Sequence, residues 1–158
     1  MVRTTHLAGL SAAGGRGTIR ALLLAGLAGQ AVFEIVALVL MPGLFGMPLM
    51  PAALVVTLGQ TVLGLQLPML AGWAGHLAAG IVLFPLGYLA LRRATGWSAV
   101  AAGAAWGVAL WLMAQGVLAP LAGRPFMLGF VPCPWASLGA HLAYTLSVAV
   151  AFDRLARR

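Results

Sequence analysis

Four apolar runs, each long enough to cross the hydrocarbon core of a bilayer, constrain this chain more than anything else in it. They lie at about 19–41, 67–91, 96–119 and 134–152, and a crossing helix needs roughly 20 apolar residues at about 1.5 Å of rise each. The connections between them are too short and too apolar to fold on their own in water. Only 7% of the 158 residues are charged, against roughly a quarter in an ordinary soluble domain. The expected fold class is therefore all-α: an integral membrane four-helix bundle forming a single membrane domain over 1–158, with lipid as its first partner.

The arginines orient the bundle. All nine basic residues are arginine and the formal net charge is +7. A nucleic-acid surface would gather such charge into a patch, and here it stands at the ends of the apolar runs instead. Arg3, Arg16, Arg20, Arg92, Arg93, Arg154, Arg157 and Arg158 fall on one side of the four spans, and Arg124 alone falls on the other. Basic residues are retained on the cytoplasmic side of membrane proteins, so both termini are expected to be cytoplasmic and the loop carrying Arg124 to face outward. A fifth apolar stretch, about 51–65, would reverse this asymmetry if it crossed. Its Thr57, Gln60 and Thr61 share one helical face, which suits an interfacial or re-entrant segment. An alternative cleavable leader around Gly29-Gln30-Ala31 is disfavoured, because the apolar run continues beyond a signal peptide's length.

Two short echoes suggest a two-helix internal repeat. Pro42…Gly46-Met47-Pro48-Leu49-Met50 parallels Pro120…Gly123-Arg124-Pro125-Phe126-Met127, and Gly75-His76-Leu77-Ala78 parallels Ala140-His141-Leu142-Ala143. Halves of two crossings each keep the same orientation and place equivalent residues at equal depth. His76 and His141 are thus expected about 10–14 Å below the outer surface. Glu34 in the first helix and Gln115 in the third fall in the same outer half, so every helix contributes to one polar layer.

Ionisable groups inside a span are costly and usually face the bundle interior, which makes this layer the candidate site. Three chemistries are open to it. Helices two and four of an up-down-up-down bundle are diagonal, about 14 Å apart, and His76 and His141 could ligate a b-type haem there for electron transfer near the outer face. Gly72 and Ser137, one turn before each histidine, would leave room for the macrocycle, and Arg124 could meet a propionate. His76, His141 and Glu34 could instead hold zinc or iron. Met41, Met47, Met50, Met69, Met113 and Met127, with Cys133 nearby, would suit copper. The third reading is structural: the four polar residues hydrogen-bond between helices in an accessory subunit that packs on a membrane-protein partner or on copies of itself. With two acidic residues in the chain and no nucleotide or nucleophile motif, an enzyme is the less expected outcome.

Gly72-Trp73-Ala74-Gly75-His76 and Leu138-Gly139-Ala140-His141-Leu142-Ala143-Tyr144, with the proline-rich outer loops, resemble an uncharacterised family of small four-helix bacterial membrane proteins. The resemblance implies a bacterial inner-membrane location and the four-helix count. It implies no activity.

Overall fold

A computed structural model describes residues 15–46 and 49–157. Arg3, Met47 and Arg158, and the side chains of Arg16 and Cys133, lie outside the described residues. The described chain forms five helices and no strand: α1 (15–45), α2 (Pro51–Leu63), α3 (Met69–Thr95), α4 (Ala99–Leu121) and α5 (Pro132–Ala156). All but α2 are long and apolar enough to cross a membrane. At most 39% of the most apolar stretch of any of them is buried within the protein. Leu70, Leu83, Val100 and Val108 are among the large side chains left outside, the apolar surface that helices embedded in lipid present. The chain is a multi-pass membrane protein.

α1 packs along α5, α5 along α4, and α3 against both α1 and α4, while α3 and α5 touch lightly across the diagonal. Lipid supplies no hydrophobic drive for helices to associate, so close backbone approach and interhelical hydrogen bonds must do so. Small residues mark the approaches. A methyl group on Gly26 would lie 2.3 Å from the carbonyl oxygen of Ile81, and one on Gly107 would lie 2.5 Å from the hydroxyl of Thr145. At one end of the bundle Arg92 donates to Asp153 and, at 3.3 Å, to the buried Tyr88 hydroxyl. Arg20, Arg93, Arg154 and Arg157 share this arginine end. At the opposite end α2 lies across the bundle as a strap. It is packed on α3, and its Thr61 hydroxyl donates to the carbonyl of Leu121 at 3.0 Å.

Three of the spanning helices widen into π-helix, at Val36–Leu40, Ala79–Leu83 and Met113–Leu118. Each widening ends two residues before a proline: Pro42, Pro85 or Pro120. A proline in a helix clashes with the carbonyl four residues back and offers no N–H. One π turn relieves the clash and lets the helix continue. That is why α1 runs on to Phe45 although its apolar run ends near Met41. It stops where Gly46 turns left-handed at φ 69°. The short connection between α3 and α4 combines another left-handed glycine, Gly96 (φ 66°), with Ser98, whose hydroxyl accepts the Ala101 amide at 3.2 Å. α4 therefore begins at Ala99, after a turn that reads as apolar in sequence.

Candidate functional site

The π turns leave carbonyls without backbone donors. The amide of Phe84, which an α-helix would direct to Gly80, bonds Ala79, and Pro85 has no amide to give. The freed Gly80 oxygen accepts the Tyr144 hydroxyl at 2.6 Å, joining α3 to α5. In α1 the amide of Met41 goes to Val36, and the freed Ala37 oxygen takes the amide of Leu49 at 3.2 Å, which anchors the chain entering the strap. In α4 the amide of Ala119 goes to Ala114, and Pro120 follows. The Gln115 carbonyl thereby loses both of its usual donors. Buried backbone oxygens are rarely left unpaired, so each freed carbonyl is a built-in acceptor near the polar layer.

On the α1/α3 wall, Gln30, Glu34 and His76 form a triangle. Gln30 Nε2 donates to Glu34 Oε1 at 2.7 Å, and His76 Nε2 lies 2.7 Å from that oxygen and 2.7 Å from Gln30 Nε2. A 2.7 Å approach of an imidazole nitrogen to a carboxyl oxygen requires one proton between them, since two lone pairs would repel. The pair is therefore hydrogen-bonded across the α1/α3 interface. Gln30 and His76 are buried, and Glu34 Oε2 is buried without a hydrogen-bond partner. Gly80 admits the Gln30 side chain, since a methyl group there would lie 1.7 Å from Gln30 Oε1.

On the α4/α5 wall, His141 Nδ1 lies 2.7 Å from the carbonyl oxygen of Ser137. A carbonyl only accepts, so this nitrogen carries the hydrogen, and Nε2 of the neutral ring is left as an acceptor. The buried Ser137 hydroxyl accepts Gln115 Nε2 at 3.2 Å. Gln115 Oε1 is buried without a partner.

Between the walls and beneath the strap lies a cavity of about 610 Å³. Gln30, His76, Gln115, Ser137, His141 and Tyr144 supply its polar lining, and the rest is almost wholly apolar apart from Arg124. Met50, Leu54 and Val55, at and just before the strap, face it. Arg124 borders it at the strap end, exposed and with no ion pair among the described residues.

This geometry revises the haem and metal expectations. His76 Nε2 is committed to Glu34 and Gln30, whereas a bis-histidine haem needs a free nitrogen from each ring aimed at one iron. The Phe33 ring packs on both imidazoles, with centroids 5.6 Å from His76 and 5.5 Å from His141. It stands where the macrocycle would have to lie. One turn further along, the Tyr144–Gly80 bond closes the diagonal. Gly72 leaves no slot for a porphyrin edge: its missing side chain is filled by the strap, and a methyl there would lie 2.5 Å from the Ala52 oxygen. The space beside Ser137 is taken by Gln115. The residues do not fit a bis-histidine haem.

Nor do His76, His141 and Glu34 converge. Among the described residues no three His, Cys, Asp or Glu side chains are placed to hold a metal. The methionines are dispersed: Met41 and Met127 are buried in packing, Met50 and Met113 line the cavity, and Met69 is exposed.

Sequence reasoning missed Gln30 and Tyr144. Gln30 stands four residues before Glu34, the spacing that places two side chains on one helical face, and that was its available signal. Tyr144 carried none, because its partner is a carbonyl freed by a π turn. Fold and site together define a polytopic α-helical membrane protein with a largely apolar cavity, bordered by a few polar side chains, in one half of its bundle. Residues 17–158 match DUF6789, a family of unknown function, and the chain belongs to that family. No curated protein and no solved structure matches it.

Proposed function

We propose that this protein binds a small, largely apolar molecule taken from the membrane, holding it in the cavity between α1, α3, α4 and α5. The observation that carries the reading is the cavity itself: about 610 Å³, within the range of small-molecule sites, with apolar walls and a few convergent polar groups. A bundle that needed its polar residues only for cohesion would close around them. Here six polar side chains border open space.

By the arginine asymmetry, the termini are cytoplasmic and the strap lies at the outer face, most simply of a bacterial inner membrane. The ligand then enters from the outer leaflet, past α2 and Arg124. The internal repeat belongs to the same proposal, supported by the matched π turns before Pro42 and Pro120 and by the histidines on α3 and α5.

The test uses purified protein in lipid nanodiscs titrated with N-phenylnaphthylamine, an apolar fluorescent reporter. Saturable one-to-one binding that is lost in Ala114→Trp, a substitution that fills the cavity, is the expected result. A signal no different from that of empty nanodiscs would sink the reading.

A further inference from the structure

Resting on that binding site, we infer that its ligand is a hydroxyl donor: a lipid-soluble phenol, quinols included, whose O–H is received by the α4/α5 wall. Three features of that wall point the same way. Nδ1 of His141 gives its hydrogen to the Ser137 carbonyl at 2.7 Å, so in the neutral imidazole Nε2, which has no hydrogen-bond partner among the described residues, is an acceptor. Gln115 turns its amide nitrogen to the Ser137 hydroxyl at 3.2 Å, which leaves Oε1 buried and unpartnered. The Gln115 backbone oxygen has lost its donors to the π turn and to Pro120.

The two sister carbonyls locate what is missing. Ala37 O and Gly80 O, freed by the same device, each receive a donor from elsewhere in the chain, the Leu49 amide and the Tyr144 hydroxyl. Among the described residues no side chain or loop amide donates to the third. Gln115 and His141 both border the cavity, so the absent donor is one a ligand can bring. A buried acceptor left unpaired is costly, and an acceptor-only ligand such as a ketone or an ether would leave it so. The Phe33 ring, edge-on to His141 with centroids 5.5 Å apart, offers an aromatic contact beside the imidazole, as a phenol ring would use.

The experiment compares three probes of one shape, 4-hexylphenol, 4-hexylanisole and 4-hexylacetophenone, by equilibrium dialysis against protein-loaded and empty nanodiscs. The phenol is expected to bind about tenfold more tightly than its methyl ether, the scale of one buried hydrogen bond. The advantage should shrink severalfold in Gln115→Leu. The wild-type comparison needs no variant to fold. Equal binding of phenol and anisole, or tighter binding of the ketone, overturns the donor assignment and leaves the cavity reading in place. Saturable binding of none of the three overturns both.

Discussion

His76 Nε2 and Glu34 Oε1 lie 2.7 Å apart across the α1/α3 interface, with Gln30 Nε2 at 2.7 Å from each. The carboxyl group is one of only two acidic side chains in the protein, and it is placed inside a span against an imidazole. Removing the imidazole leaves that group with a single hydrogen bond in an apolar bundle. His76→Ala is expected to cost about 1–2 kcal/mol, the upper scale of interhelical polar contacts in membranes. Glu34→Gln in the same background should recover part of it, and unfolding of the two single variants and the double variant measures the coupling. Independent, additive effects would argue against a stabilising contact between the two side chains.

Gly80 and Gln30 form a steric pair. A methyl group at Gly80 would meet Gln30 Oε1 at 1.7 Å, so Gly80→Ala should destabilise by about 1–3 kcal/mol, as overpacking does. Shortening Gln30 removes the clash, and Gly80→Ala with Gln30→Ala should be milder than the two losses added together. Thermal melts in detergent decide it.

The strap is held to α3 at Gly72, whose hypothetical methyl meets the Ala52 oxygen at 2.5 Å and Val56 at 2.8 Å. Gly72→Leu is expected to lift α2 while the four spanning helices stay packed. Hydrogen exchange across Pro51–Leu63 should quicken by an order of magnitude or more, since local opening free energies respond to lost packing contacts. Amides of α1 and α5 should keep their rates. Uniformly faster exchange would make the strap integral to the bundle.

At the arginine end, Arg92 bonds both Asp153 and Tyr88, and the Arg92 and Asp153 side chains are only 13% and 22% exposed. Asp153→Asn should cost about 1 kcal/mol, above a fully exposed pair and below a fully buried one. Because the pair is sheltered, its contribution should change little between low and high salt. A cost that vanishes in high salt would place the pair in open solvent.

Orientation is tested with single cysteines in a Cys133→Ser background. A cysteine at Thr95, in the turn flanked by Arg93, should be labelled by a membrane-impermeant maleimide only after cells are opened, and one at Gly123 in intact cells. The reverse pattern would invert the topology.

Much of the architecture was legible before any coordinate. Length and hydropathy are local quantities, and they marked the four runs that form helices long and apolar enough to span. The misplaced ends have definite causes. The prolines at 42 and 120 look like stops, yet a preceding π turn lets each helix pass them. Gly96 and Ser98 look like part of an apolar run, yet their backbone roles make them a turn. The site was legible only as a list. Glu34, His76, His141 and Gln115 could be assigned to one layer by counting turns, which says at what depth a residue lies and not which neighbour its side chain meets.

The amino-acid order alone thus settled solvent and secondary structure: helices, four of them long and apolar enough to span. That much follows from hydrophobicity and from the cost of an unpaired backbone in lipid, which act on each segment separately. Which polar groups meet was decided by tertiary structure. Phe33 stands against both histidines, Gln30 joins Glu34 to His76, and Tyr144 claims the Gly80 carbonyl. Each depends on helix rotation and on carbonyls freed by π turns, and those are set by the packing of all the helices together.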